Sequence, residues 1–455
     1  MAIFNDDLID RIGKGLALAI GVFLFILVGC QASIPGAEIS QGTLTSQVTV
    51  TARPSQTPTI ESSPTVTATG VLTTGDITLT FWTIEDISPE AEGQIGDFVR
   101  DNLRAFERAN PDLGVNLLLK KASGKGGVLD FLRTGREVAP TVLPDVAIMN
   151  ATDLQQAYNE GLLQPLDGQL DRSIVQDLLP AARRTGTVDN KLVGVPLGLE
   201  MEHTVYNTLF FTATPMLWTD VLSNNTRYLF PAKGVNGLVN DATLAQYFSA
   251  GGELRDDQGT PKIDEQALRS VLDFYQRALD ANVIDAAILE AATSEELWPT
   301  YLEGNAGMTH ITVRQYLSDR DFLENSLFAP IPVADEKDIP VTITQGWVIV
   351  LIANDATRQE AALRLMEWFL STPNNATWNE LNKSIPARDT AYQQLAGDDP
   401  YWEFLTQQLN NTRTQPNFMG YDQIGRIIQQ ALEQVIRGEA TPAEATATAI
   451  DALTP

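Results

Sequence analysis

The chain has 455 residues, enough for two or three folding units, and its 44% hydrophobic content supports a sizeable core. Its 58 acidic residues outweigh 31 basic ones, a formal net charge of −27, and a field of that sign repels nucleic-acid phosphates and anionic lipid headgroups. One cysteine (Cys30) and two histidines (His203 and His310) exclude an intramolecular disulfide framework and a Cys/His-rich zinc site. No nucleic acid, metal or cofactor is therefore expected.

Residues 1–30 read as a targeting segment. Gly15 to Gly29 is an uninterrupted apolar run, short for a bilayer span and right for the core of a signal peptide. It closes on Leu27–Val28–Gly29–Cys30, which matches the lipobox of bacterial lipoproteins and implies cleavage before Cys30 with lipid on its sulfur. Asp6, Asp7 and Asp10 offset Arg11 and Lys14, although the two cations are the charges nearest the run. An uncleaved anchor is the alternative, and either places the bulk of the chain outside the cytoplasm. Residues 31–75 are a Thr/Ser/Pro tract that cannot bury enough apolar surface to offset its ordering entropy, so a disordered stalk is expected.

Folding is expected to start at Asp76. Ile77–Trp82 predicts a first strand, Gly96–Asn110 a helix, Val115–Leu119 a second strand and Pro144–Met149 a third. Asn150 then supplies an N-cap, with Asp153 three places on, for a helix ending at Gly161. Such alternation predicts a mostly parallel α/β sheet. Further on, Thr219–Leu222 and Thr243–Phe248 predict short helices. Asp264 opens a longer one with Leu268, Val271, Leu272, Tyr275 and Leu279 on one face. Thr293 with Glu296, Thr357 with Glu360, and Thr441 with Glu444 each carry the spacing of a capping box. Phe328–Val333 and Val341–Ile352 predict strands, the second interrupted at Gln345–Gly346–Trp347.

Lys191–Asn207 (KLVGVPLGLEMEHTVYN) is the stretch that joins these parts. Its apolar first half contains Pro196, which cannot donate to a ladder and marks an edge strand or a strand leaving its sheet. Glu200, Glu202 and His203 follow, then the β-prone Thr204–Val205–Tyr206. A strand that leaves one sheet and resumes in another is a domain crossing, and carboxylates there would face a cleft.

The order strand, G-V-P, spacer, glutamate, V-Y-N resembles the first crossover of periplasmic-type solute-binding proteins, the receptors of ABC importers. The similarity is to the sugar-binding family that includes maltose-binding protein. FERANPDLGV, PDVAIMN, EGLLQPLD, the Gly304–Met308 element and LSTPNNATWNELNKSIPAR resemble the same family in order and spacing. The resemblance implies a two-lobed α/β periplasmic-binding-protein fold with three hinge crossings, near Glu200, His310 and Asn354. Lobe one would hold residues 76–200 and 311–353, and lobe two residues 201–310 and 354–455. It further implies a monomeric receptor that captures a sugar between its lobes and delivers it to the permease subunits of a transporter, without catalysis.

Sugar recognition needs flat aromatic faces for C–H surfaces, and carboxylates or amides for hydroxyls. By resemblance Glu200 contacts sugar hydroxyls. Trp347, on the strand break beside glycine, is the expected stacking platform. Trp82, Glu85, Asn150 and Asp153 fall at the carboxyl ends of the first-lobe strands, where ligands of such sheets gather. His310 and Arg314 would line the second crossing. Structural roles compete at each: core packing for both tryptophans, a satisfied buried histidine for His310, and an acidic partner for Arg314. Two other readings stay open. A polyamine or other small-solute receptor of the same fold would suit the acidic charge. A surface glycoside hydrolase would need a carboxylate pair about 5 Å or 6.5–9.5 Å apart, and Glu85 with Glu200 is not singled out as one.

Overall fold

A computed structural model describes residues 76–453; the signal segment, Cys30 and the Thr/Ser/Pro tract lie outside the described residues. Fourteen strands occur among them: β1 (Ile77–Thr83), β2 (Leu113–Leu119), β3 (Val146–Asn150), β4 (Thr187–Val188), β5 (Lys191–Leu192), β6 (Val195–Pro196), β7 (Gly198–Asn207), β8 (Tyr228–Leu229), β9 (Met308–Thr312), β10 (Ser326–Ala329), β11 (Thr342–Gln345), β12 (Trp347–Leu351), β13 (Ile385–Pro386) and β14 (Thr412–Thr414).

They build two principal sheets. The first has the order β2-β1-β3-β12-β6, and the second the order β14-β11-β7-β9-β8, with β10 and β13 also pairing β7. β4 and β5 form a separate hairpin. In the first sheet β1, β2 and β3 are parallel; β3 is buried along its apolar run, while β1 is buried mainly at its carboxyl end and β2 at its amino end. In β7 the ten residues alternate. Leu199, Met201 and Val205 enter the core shared with the first sheet, while Tyr206 enters a second core with Tyr228, Phe230, Leu272 and Tyr275. That period of two is the physical reason this strand can divide two layers.

The chain passes between the sheets three times: at Leu197–Gly198 between β6 and β7, at Gly346 between β11 and β12, and at Asn411–Thr412 entering β14. Two glycines let the first two crossings touch. A Cβ on Gly346 would stand 2.7 Å from the carbonyl oxygen of Gly198, and one on Gly198 would stand 2.1 Å from Asn379 Oδ1. The first crossing is also pinned from the side. Buried Asn375 and Asn379 both donate their amides to the Leu197 carbonyl, at 2.7 and 2.9 Å.

Two expected crossings are therefore displaced. His310 lies in mid-β9, paired with Thr204 of β7, so residues 311–345 stay with the second sheet. The helix Ala356–Phe369 packs back on the first lobe, on its sheet through Arg358 on Asp145 and Phe369 on Phe81, and on the helix Gly93–Ala109 through Trp368 on Asn102. By sheet membership the first lobe holds 76–197 and 346–411, except that β13 pairs with the hinge end of β7, and the second holds 198–345 and 412–453. Periodicity specified the strands but carries no information about which sheet each joins. The interruption at Gly346, read as a break, is itself a crossing.

Caps divide similarly. Thr441 and Glu444 form the expected box, and Asn150 caps a 3-10 turn that leads into the helix Leu154–Asn159. The helix at 356 is capped by Asp355, which accepts from the backbone N–H groups of Thr357 and Arg358, rather than by Thr357. Thr293 and Asp264 hold N-cap positions without side-chain caps; the Asp264 carboxylate instead accepts from Glu253 N–H at 2.7 Å.

Candidate functional site

β14, β11 and β7 lie side by side and carry the three crossings into the second lobe. They form a hinge band with two edges. On the β7 side sit Glu200 of β7, Arg314 just after β9, and Asn382 just before β13. On the β14 side lies an open cleft.

Glu200 is the most unusual group at the hinge. Its Oε1 accepts from the Met201 N–H at 3.1 Å and, more weakly, from the Arg314 N–H at 3.4 Å. Its Oε2 is buried with no hydrogen-bond partner, and the nearest cation, Arg314 Nε, stands 3.7 Å away. Burial pushes the Glu200 carboxyl up to about 7, with Arg314 pulling the other way. Arg314 is half exposed and also donates to Asn382 Oδ1 at 2.9 Å, linking the second lobe to the first. A side chain 22% exposed overall whose Oε2 is buried and unbonded is a site prepared for a donor.

Gln345, the β11 residue paired with Glu200, donates to Asp241 Oδ2 at the start of the helix Asp241–Ser249. Asp241 repeats the Glu200 pattern: its Oδ1 is buried without a partner, and burial raises the carboxyl to about 6. Neither Asp241 nor Gln345 was named as a site residue from sequence. The signal was present, because Asn240–Asp241 is a cap pair, but a cap pair reads as helix punctuation.

Glu202 and both histidines serve the fold. Ser294 Oγ donates to Glu202 Oε1 at 2.8 Å, and His310 Nδ1 donates to Oε2 at 3.1 Å. Tyr228 OH donates to His310 Nε2 at 2.7 Å, and His310 is fully buried, with both ring nitrogens bonded within the protein. His203 Nδ1 donates to the Thr204 carbonyl and Nε2 accepts from Tyr401 OH at 2.8 Å, which uses both nitrogens of a neutral ring. Burial lowers His203 to about 4.

The remaining expected residues scatter. Trp82 is 3% exposed, edge-on to Phe131, and Lys120 Nζ lies 4.5 Å from both ring centroids. Trp82 is thus core, although its Nε1 is buried without a partner. Glu85 is exposed on the 3-10 turn after β1. The Asn150 side chain is spent on its cap, accepting from the Thr152 N–H at 2.9 Å and hydroxyl at 2.8 Å. Asp153 is half-buried, which raises its carboxyl. Trp347 is half-buried against the first-lobe core at the crossing, paired with Asn150. Glu200 and Arg314 are brought together, and Trp347 begins one residue past the Gln345–Gly346 crossing; the others are not gathered with them.

The cleft on the β14 side holds about 600 Å³ and takes walls from both lobes. It lies between the first-lobe segments around Thr152, Arg184 and Asp189 and the second-lobe segments around Phe248, Arg255 and Phe418. Asn417 donates across it to the Thr152 carbonyl. None of the residues expected from sequence lines it.

Residues 132–404 match the family described as bacterial extracellular solute-binding protein. The chain belongs to that family. Among solved structures it resembles the cyclic α-maltosyl-1,6-maltose binding protein of Arthrobacter globiformis, with a TM-score of 0.67 and 18% identity over 83% of this chain and 98% of that one. It also resembles the maltose-bound MalE3 of T. maritima, at TM-score 0.64 and 18% identity over 83% and 98%. A third, the maltose complex of MalE from Listeria monocytogenes, gives TM-score 0.65 and 15% identity over 83% and 96%. The likeness confirms the two-lobed α/β architecture. A solute-binding protein works outside the cytoplasm, and among the described residues no helix is long and apolar enough to cross a membrane.

Proposed function

We propose that this solute-binding protein is the receptor subunit of an ABC importer and captures a carbohydrate, mono- or oligosaccharide, at the Glu200 edge of its hinge, closing and handing the sugar to the permease. The observation that carries the reading is Glu200 Oε2, a buried acceptor without a donor where the lobes join. A sugar hydroxyl would supply the missing hydrogen bond, Arg314 would move aside or share the carboxylate, and Trp347 would offer its open face to a pyranose. The named ligands of the similar structures, maltose among them, support a sugar over other solutes. Family membership supports binding without bond cleavage.

The test is a thermal-shift and calorimetric panel of glucose, maltose, maltotriose and spermidine on the protein, with chromatography of the sugar recovered afterwards. A sugar at a hundred times its Kd should stabilise the fold by about 2.7 kcal/mol. It should also reduce the radius of gyration in small-angle scattering, as hinge closure requires. Stabilisation by spermidine alone would assign the protein to polyamines, and shortened oligosaccharide would make it a hydrolase.

Membrane tethering belongs to the same reading. Lipid on Cys30 would hold the receptor near its permease while residues 31–75 give it reach. Cys30→Ala should block lipid attachment and signal removal, leaving the first 29 residues on the protein and its apolar run, rather than lipid, as the membrane contact. An intact Met1 on membrane-bound wild-type protein, read by mass spectrometry, would remove the claim.

A further inference from the structure

We infer that the cleft on the β14 edge is a second binding site, one that takes the anionic group, carboxylate or phosphate, of a small molecule. Three arginines line it in a chain of net charge −27: Arg184, Arg255 and Arg413. Arg413 is neutralised by a two-pronged pair with Glu253, at 2.8 and 2.6 Å, and lies over the ring of Phe248. Among the described residues the other two face no carboxylate within ion-pair distance. Arg184 Nη2 donates to the Leu409 carbonyl at 3.0 Å and to Thr412 Oγ1 at 2.8 Å. The Arg255 guanidinium lies 4.7 Å over the ring of Phe418.

Both guanidinium groups are thus positioned by neutral partners on the protein side while their charge is left unmatched. In an acidic protein a surface arginine finds a carboxylate readily, as Arg133, Arg227, Arg269, Arg320, Arg364 and Arg388 do here. Arg108, Arg136, Arg172, Arg183 and Arg277 also lack an ion pair among the described residues, but Arg184 and Arg255 share one cleft, where a countercharge from outside could meet both. Guanidinium suits the role because its fork matches the geometry of a carboxylate or phosphate. Thr414 adds a hydroxyl to the lining, whereas the Thr187 hydroxyl donates to the Arg183 carbonyl at 2.6 Å, and the remaining carboxylate there, Asp189, accepts from Gln155 at 3.4 Å. A cleft of about 600 Å³ falls in the range that holds a hexose-sized molecule.

Glu200 itself does not line the cleft, but Gln345 of β11 does and is its ladder partner, so the two edges meet at that residue. Its occupant would touch Arg184 of the first lobe and Arg255 of the second, and so would bias the same hinge from the other side.

The experiment is calorimetry at low and moderate salt with glucose 6-phosphate, gluconate, inorganic phosphate and glucose. The proteins are the full chain, the double variant Arg184→Gln with Arg255→Gln, and Glu200→Gln. Wild type should bind at least one of the three anions, with affinity falling as salt rises, and should bind glucose at this edge no better than the double variant does. The double variant should lose anion binding at least tenfold with its melting temperature within a few degrees of wild type, and Glu200→Gln should keep it. Phosphate binding as tightly as glucose 6-phosphate would assign the site to the bare anion, and gluconate alone would assign it to sugar acids. Absence of binding by all three anions, or equal affinity in the double variant, would overturn the inference. Loss in Glu200→Gln alone would transfer the anion to the hinge edge and equally overturn a second site, whereas failure of neutral sugars to bind leaves it standing.

Discussion

Asp145→Ala is expected to cost about 3 kcal/mol of folding stability. Asp145 sits one residue before β3 and its side chain is 5% exposed. Its Oδ2 accepts from the Thr80 N–H of β1 at 2.7 Å, and its Oδ1 accepts from Arg358 Nε at 2.7 Å. Arg358 also donates to the Thr78 carbonyl at 2.8 Å. One carboxylate thus fastens β1, β3 and the helix Ala356–Phe369 together. Truncation strands a backbone donor and an arginine, and breaking a buried pair typically costs 3–5 kcal/mol. The lower end applies because the Arg358 side chain is 40% exposed. Asp145→Asn keeps one acceptor and should lose roughly half as much. Urea unfolding at constant slope measures both, and a loss under about 1 kcal/mol for the alanine variant would show that the pair contributes little.

That pair also marks where sequence reading stopped. PDVAIM identified a strand and a family likeness, yet the aspartate's partner lies 213 residues away in a helix assigned to the other lobe. Apolar runs and caps are local, so β1, β3, β12 and the helices at 241 and 265 were all legible. Lobe membership is set by which strand edge a segment finds, and no local pattern encodes that. The site divides in the same way. Glu200 was legible because its place in the crossover is written in neighbouring residues. Asp241, Gln345 and the arginine cleft converge from distant segments, and nothing near each residue announces its partners. The burial of His310 was hidden for a related reason: a histidine in a β-prone run looks alike whether its neighbour is solvent or, as here, Tyr228 and Glu202.

Glu200→Gln should separate the binding role of this carboxyl from its structural one through pH. Burial raises Glu200 to about 7, so the folded protein holds a proton there that the unfolded chain releases near 4.5. Its stability contribution is fully present below pH 4.5 and is lost as pH rises through 7. The glutamine variant does not titrate at this position. It should match wild type near pH 5 and exceed it at pH 8, by roughly 2 kcal/mol, less than 1.36 kcal/mol per pKa unit would give because the side chain is 22% exposed. Asp241, raised to about 6, and His203, lowered to about 4, shift both proteins equally and cancel in the difference. Sugar binding should move the opposite way. Hydroxyl donors favour the ionised carboxylate, so wild-type affinity should rise as pH passes 7 and proton release should accompany binding. A charge-assisted bond contributes roughly 1.5–3 kcal/mol, so the variant should bind at least tenfold more weakly at pH 8 with a flat pH profile. Trp347→Ala supplies the contrast: about 2 kcal/mol of affinity lost at every pH if the ring is an anchor. A wild-type affinity that is flat from pH 5 to 8 would remove Glu200 from the site and leave it as a buried carboxyl of the hinge.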